Sequence, residues 1–162
     1  MPVPIYSHRP ATKLEASAYA AIVAILIAVF AYEVLYYMEA AERTSVDATV
    51  NRITAAATAR LAYHVMTRGT AADISAWKQQ SPFAVAGMSP DNFVGEIDSS
   101  RPDALEGGSW GYDRARSELI YRPRLRLRLS TADVQGLLRF RAVIATDPFA
   151  YRLLPAVPYE WG

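Results

Sequence analysis

The feature that most constrains this chain is a stretch of 58 residues, Ala11 to Arg68, that contains no glycine and no proline. Proline removes a backbone donor and clashes with the preceding turn, and glycine loses the most conformational entropy on ordering. A segment free of both and rich in alanine predicts one long helix, with Pro10 near its start and Gly69 at its end.

The two ends of this stretch differ in chemistry. Ala16 to Tyr32 is seventeen residues without a charge, and after Glu33 the apolar run resumes through Val34, Leu35, Tyr36, Tyr37 and Met38. A membrane-spanning helix needs about 20 mostly apolar residues, with about 17 as a lower limit. Tyr32, Tyr36 and Tyr37 suit an interfacial aromatic belt. Residues 13–38 therefore read as a transmembrane helix, 1–12 as a cytoplasmic leader-like segment and 39–69 as an extracytoplasmic continuation of the helix. His8, Arg9 and Lys13 precede the span while Glu33, Glu39 and Glu42 follow it, which by the positive-inside rule leaves the N-terminus in the cytoplasm. Two rival readings are a secretory signal peptide, whose apolar region is shorter, and a core helix of a soluble protein.

Beyond the span the pattern turns amphipathic. Val46, Val50, Ile53, Ala57, Leu61 and Val65 recur at intervals of three and four, with Arg43, Asp47, Asn51, Arg52 and Arg60 between them. One apolar stripe of this kind packs against a sheet. Residues 70–162 form the rest of the domain. Thr70 and Asp73 are spaced to cap a short second helix reaching about Gln80, and the Gly- and Pro-rich stretch 81–109 reads as loop around Phe93 and Val94. Trp110–Asp113 and Glu118–Arg122 read as a hairpin, and Leu138–Thr146 as a strand with Leu138, Phe140, Ala142 and Ile144 on one face. The strict alternation from Arg124 to Leu129 predicts another strand, burying Leu125, Leu127 and Leu129. The tail from Asp147, with three prolines, reads as irregular or edge structure. The expected fold class is α+β: a long N-terminal helix, partly transmembrane, packed on a small antiparallel β-sheet.

Several chemistries find no support. With no cysteine there is no thiol nucleophile, disulfide or cysteine-based zinc site. Only His8 and His64 could serve a Ser/His/Asp arrangement, and neither sits in a nucleophile motif. Asp91, Glu96, Asp98 and Asp103 do not match a calcium-loop spacing. We expect no enzyme activity, no metal and no cofactor. Net charge is only +1, but residues 110–152 carry nine arginines against four acids. Arg124, Arg126, Arg128, Arg139 and Arg141 are thus candidates for subunit or polyanion contact, against the alternative of a solvated strand face. Nucleic acid is disfavoured as the polyanion because aromatics do not interleave with these arginines.

A helix that is half membrane anchor and half sheet cover, followed by a loop and a small sheet, resembles type IV pilins and type II secretion pseudopilins. The likeness is local at Lys13-Leu14-Glu15 before the apolar run and at Tyr37-Met38-Glu39-Ala40-Ala41-Glu42-Arg43 after it. It extends to Asn92-Phe93-Val94-Gly95-Glu96, Trp110-Gly111-Tyr112-Asp113 and Glu118-Leu119-Ile120-Tyr121-Arg122. By this resemblance Glu15 is the assembly glutamate that neutralises a neighbouring subunit's N-terminal amine, and leader cleavage falls between Pro10 and Ala11. Pro10 stands where the family carries glycine, and Lys13 where it carries an apolar residue. The resemblance implies a structural minor pilin or pseudopilin subunit of a type IV pilus or type II secretion system. Its partners would be the membrane and other pilin-like subunits. It would sit in the bacterial inner membrane, single pass, with the C-terminal domain periplasmic. The alternative is a single-pass periplasmic domain of another envelope complex that never polymerises.

Overall fold

The computed structural model describes residues 12–67, 76–101, 105–146 and 149–162. The caps expected at Gly69, Thr70 and Asp73 lie outside these residues, as do Pro10 and Ala11. The chain divides into two compact units, Met1–Tyr37 and Met38–Gly162.

Helix α1 spans Lys13–Thr67. In the first unit its large apolar side chains are exposed, among them Leu26, Ile27 and Phe30, and none of its most apolar 18-residue window is buried. By length and composition it is a helix able to cross a membrane. In the second unit the expected stripe is present: Val46, Ile53, Ala57 and Leu61 are buried, and Val50 and Val65 pack against the same core.

That core lies under a sheet of five strands, β1 (Phe93–Glu96), β2 (Ser109–Asp113), β3 (Glu118–Arg122), β5 (Leu138–Thr146) and β6 (Phe149–Pro155). Their order across the sheet is β1-β2-β3-β5-β6. A separate antiparallel pair joins β4 (Leu129–Thr131) to β7 (Tyr159–Trp161). The hairpin β2–β3 and the alternating strand β5 stand where the sequence places them. Trp110, Leu119, Tyr121, Leu138, Phe140 and Ile144 all face the helix core. Side chains alternate across a strand, so Ile120 faces the other way, into a second small cluster with Leu105 and Leu137.

Three expectations change. First, the sheet is mixed, because β1 runs parallel to β2. Parallel neighbours need a crossover, and in the connecting stretch Ser99 and Leu105 are buried, Leu105 with Ile120 on the second face. Ile97 lies so close to Gly111 that an added Cβ would come within 2.6 Å of its Cδ1. Second, the stretch 81–109 is not only loop: besides β1 it holds helix α2, Pro82–Ala86. Pro82 suits the first helical turn, and Gly87 ends the helix at φ 66°. Third, Arg124–Leu129 is not a strand, and strand geometry begins only at Leu129. Leu127 is 57% exposed, and of the three leucines only Leu129 packs against the main core.

The tail is edge structure, as expected, and its edge is protected. Tyr151 N–H donates to Thr58 Oγ1, and Thr58 Oγ1 donates to the Tyr151 carbonyl, each at 3.1 Å. A helix side chain thus takes up backbone groups that would otherwise template a further strand. Pro155, at the end of β6, has no N–H to offer.

Candidate functional site

The exposed arginines of residues 124–128 sit on a loop that two glutamates hold in place. Continuing the helix stripe backwards from Val46 lands on Glu42 and Glu39 rather than on apolar residues. Glu42 Oε1 accepts hydrogen bonds from Tyr121 Oη at 2.7 Å and from Arg124 N–H at 2.8 Å, and its Oε2 accepts from Leu125 N–H at 3.3 Å. Glu39 is 2% exposed, and its Oε1 accepts from Arg128 N–H and from Trp161 Nε1, both at 3.0 Å. These bonds explain why the Arg-Leu alternation is not a strand. The backbone donors a sheet ladder would use are bound to helix carboxylates, and a charge-assisted bond is about twice as strong as a neutral one.

Replacing Glu42 by alanine leaves the Tyr121 hydroxyl and two loop amides without their acceptor. The expected loss is about 1–3 kcal/mol in denaturant unfolding, with faster amide exchange at Arg124 and Leu125. Glu42→Gln, which keeps an acceptor oxygen, is expected to lose less.

The five candidate arginines do not share one surface. Arg124, Arg126 and Arg128 are exposed. Arg124 Nε donates to the Gly107 carbonyl at 3.3 Å, and Arg126 to the Gln135 carbonyl at 3.0 Å. An open groove of about 870 Å³ runs beside them, lined by Leu105–Gly107 and Arg122–Leu127. Arg139 is different: it is 4% exposed and takes no part in an outward contact face. Its guanidinium lies 2.5 Å from Asp133 and 3.5 Å from Glu118, and donates to Ser99 Oγ at 3.2 Å. Arg141 remains largely exposed and reaches the other Glu118 oxygen at 2.7 Å. Ser99 in turn hydrogen-bonds Asp113. The network pins the crossover and the turn at 133–137 to the second face of the sheet.

Two acids of this network titrate below the ordinary carboxylate value of 3.8. Burial pushes Asp113 up, but hydrogen bonds from Ser99 and from the amides of Arg116 and Ala115 outweigh it. Burial likewise opposes Asp133, which Arg139 and the Leu137 and Gln135 amides hold down. A depressed folded pKa stabilises the fold above the unfolded value and loses that contribution as pH falls through the folded one. Thermal unfolding followed against pH is expected to decline below about pH 4. Asp113→Asn with Asp133→Asn is expected to flatten that decline.

Glu15 has a local role. Thr12 N–H donates to Glu15 Oε2 at 2.8 Å, and Glu15 N–H donates to Thr12 Oγ1 at 3.4 Å. This reciprocal pair is a capping box, which satisfies two donors at the helix start. Of the loop acids, Glu96 pairs with Arg114 and Asp98 with Arg101, while Asp103 lies outside the described residues. Among the described residues no three His, Asp or Glu side chains gather as a metal site.

The Glu39–Glu42 tie and the Arg139 network are absent from the sequence reading. The first had a signal, two acids placed on an apolar stripe. The second had none, because its members are scattered from Ser99 to Arg139 and meet only through the sheet register. Compared with protein-family models, curated proteins and solved structures, the chain matches none.

Proposed function

We propose that the chain is a non-enzymatic, single-pass envelope subunit of pilin-like or pseudopilin-like design, which acts by assembly. In this role residues 13–38 lie in the bacterial inner membrane, the N-terminus faces the cytoplasm and the sheet domain faces the periplasm. One observation carries it: helix α1 exposes its apolar side chains on all sides in the first unit, yet buries a single stripe under a sheet in the second. Exposed apolar surface of that extent exceeds what a monomer in water tolerates. Lipid, and the same helix of neighbouring subunits, are the surroundings that suit it.

Under pilin-like assembly Glu15 pairs with a neighbour's N-terminal amine. Glu15→Ala is then expected to abolish recovery of the chain with a filament or secretion complex, while membrane insertion persists. Mass spectrometry of the native N-terminus reads the processing, and Ala11 as first residue supports the assembly role. If the Glu15→Ala chain still joins the complex as wild type does, the pilin-like role of Glu15 is wrong.

The capping box favours a second reading, an anchor that never polymerises. Glu15 then serves only its own helix, and losing it costs about 0.5–2 kcal/mol of helix stability without affecting any assembly.

A further inference from the structure

We propose that Arg124, Arg126 and Arg128, with Leu127 between them, form a docking surface for anionic phospholipid headgroups. The inference rests on the membrane-anchor reading of residues 13–38 and adds a ligand class to the arginine loop.

Position comes first. Glu39 stands two residues after Tyr37, at the end of the apolar run, and holds the Arg128 amide at 3.0 Å. A chain spans at most about 3.6 Å per residue. The loop is therefore tied to the helix within a few residues, along the chain, of the end of the apolar run. Glu42 fixes the other end of the loop through Arg124 and Leu125. The loop is thus held in place before any ligand arrives, which lowers the ordering penalty of binding.

Charge comes second. Glu39 is buried and Glu42 half-buried, and both accept from backbone amides and from the Trp161 and Tyr121 side chains. The exposed acid lining the groove beside the loop is Glu106, against the exposed side chains of Arg124, Arg126 and Arg128 on the loop. Guanidinium matches phosphate in shape and binds it through paired donors.

Leu127 separates lipid from other polyanions. It is 57% exposed, flanked on both sides by exposed arginines. An apolar side chain there gains nothing from a nucleic-acid backbone, whereas at a bilayer interface it enters the boundary between headgroups and acyl chains.

The test uses the full chain reconstituted in vesicles of phosphatidylcholine mixed with phosphatidylglycerol. Electron spin resonance compares spin-labelled forms of the two lipids at the protein boundary. Wild type is expected to prefer phosphatidylglycerol, and added salt should weaken the preference. Arg124→Gln, Arg126→Gln and Arg128→Gln together should reduce it by about fivefold or more, since each surface-proximal arginine is worth about that factor. The triple variant keeps every main-chain donor of the loop. Arg126→Glu alone leaves both glutamate ties untouched and should also reduce the preference. Wild-type preference retained in both variants overturns the proposal, as does duplex DNA binding by wild type without any lipid preference. A chain that fails to enter vesicles at all overturns the anchor reading itself, and so is distinguishable from a chain that inserts but treats the two lipids alike.

Discussion

Arg139→Met is expected to destabilise the sheet domain by about 3–5 kcal/mol. Glu118 and Asp133 are both nearly buried, and Arg139 lies between them. Removing the guanidinium leaves two carboxylates in a poorly solvated site, with Ser99 losing a donor as well. Methionine keeps most of the volume, so the loss reads charge rather than a cavity. Arg141→Gln, at an exposed position that also touches Glu118, is expected to cost under about 1 kcal/mol. Denaturant unfolding of the full chain in detergent micelles measures both. A further variant separates the causes: Arg139→Met combined with Glu118→Gln and Asp133→Asn should recover part of the loss, because no uncompensated charge then remains. No recovery would mean that Arg139 acts through packing.

Leu61→Ala is the second large effect, at about 2–5 kcal/mol. Leu61 is fully buried in the stripe that α1 lays under the sheet, beside Ala57 and Val65. A methyl group in place of the isobutyl side chain opens a cavity in the main core. Leu26→Ala removes the same atoms from the same helix at a position 62% exposed, and should leave the unfolding midpoint of the sheet domain unchanged. The contrast tests the division of labour along α1. Equal losses at the two positions would show that both halves of the helix belong to one core.

Regular periodicity made part of this fold legible from sequence. The stripe from Val46 to Val65 repeats over many turns, and β5 is a nine-residue strand whose Leu138, Phe140, Ala142 and Ile144 recur at period two. Such signals are long enough to outweigh local exceptions. Short elements were not legible: α2 has five residues and β1 four, both inside a stretch punctuated by glycine and proline. The alternation at Arg124–Leu129 failed for a different reason. Period two says that a strand is possible, but the partners of its backbone amides decide, and here those partners are carboxylates on a helix about 80 residues earlier in the chain. Arg139 was misplaced because β5 alternates leucine and phenylalanine with arginine, which looks like one wet face. The crossover between β1 and β2 covers that face, and no local pattern announces a crossover.

In the proposed role the first half of α1 lies in lipid while the second half supports the sheet domain. Alkaline carbonate extraction of membranes from cells making the chain distinguishes a span from a soluble core helix. The chain is expected to remain in the membrane pellet and to be released only by detergent. Recovery of the folded chain in the carbonate supernatant would show that α1 does not span the bilayer.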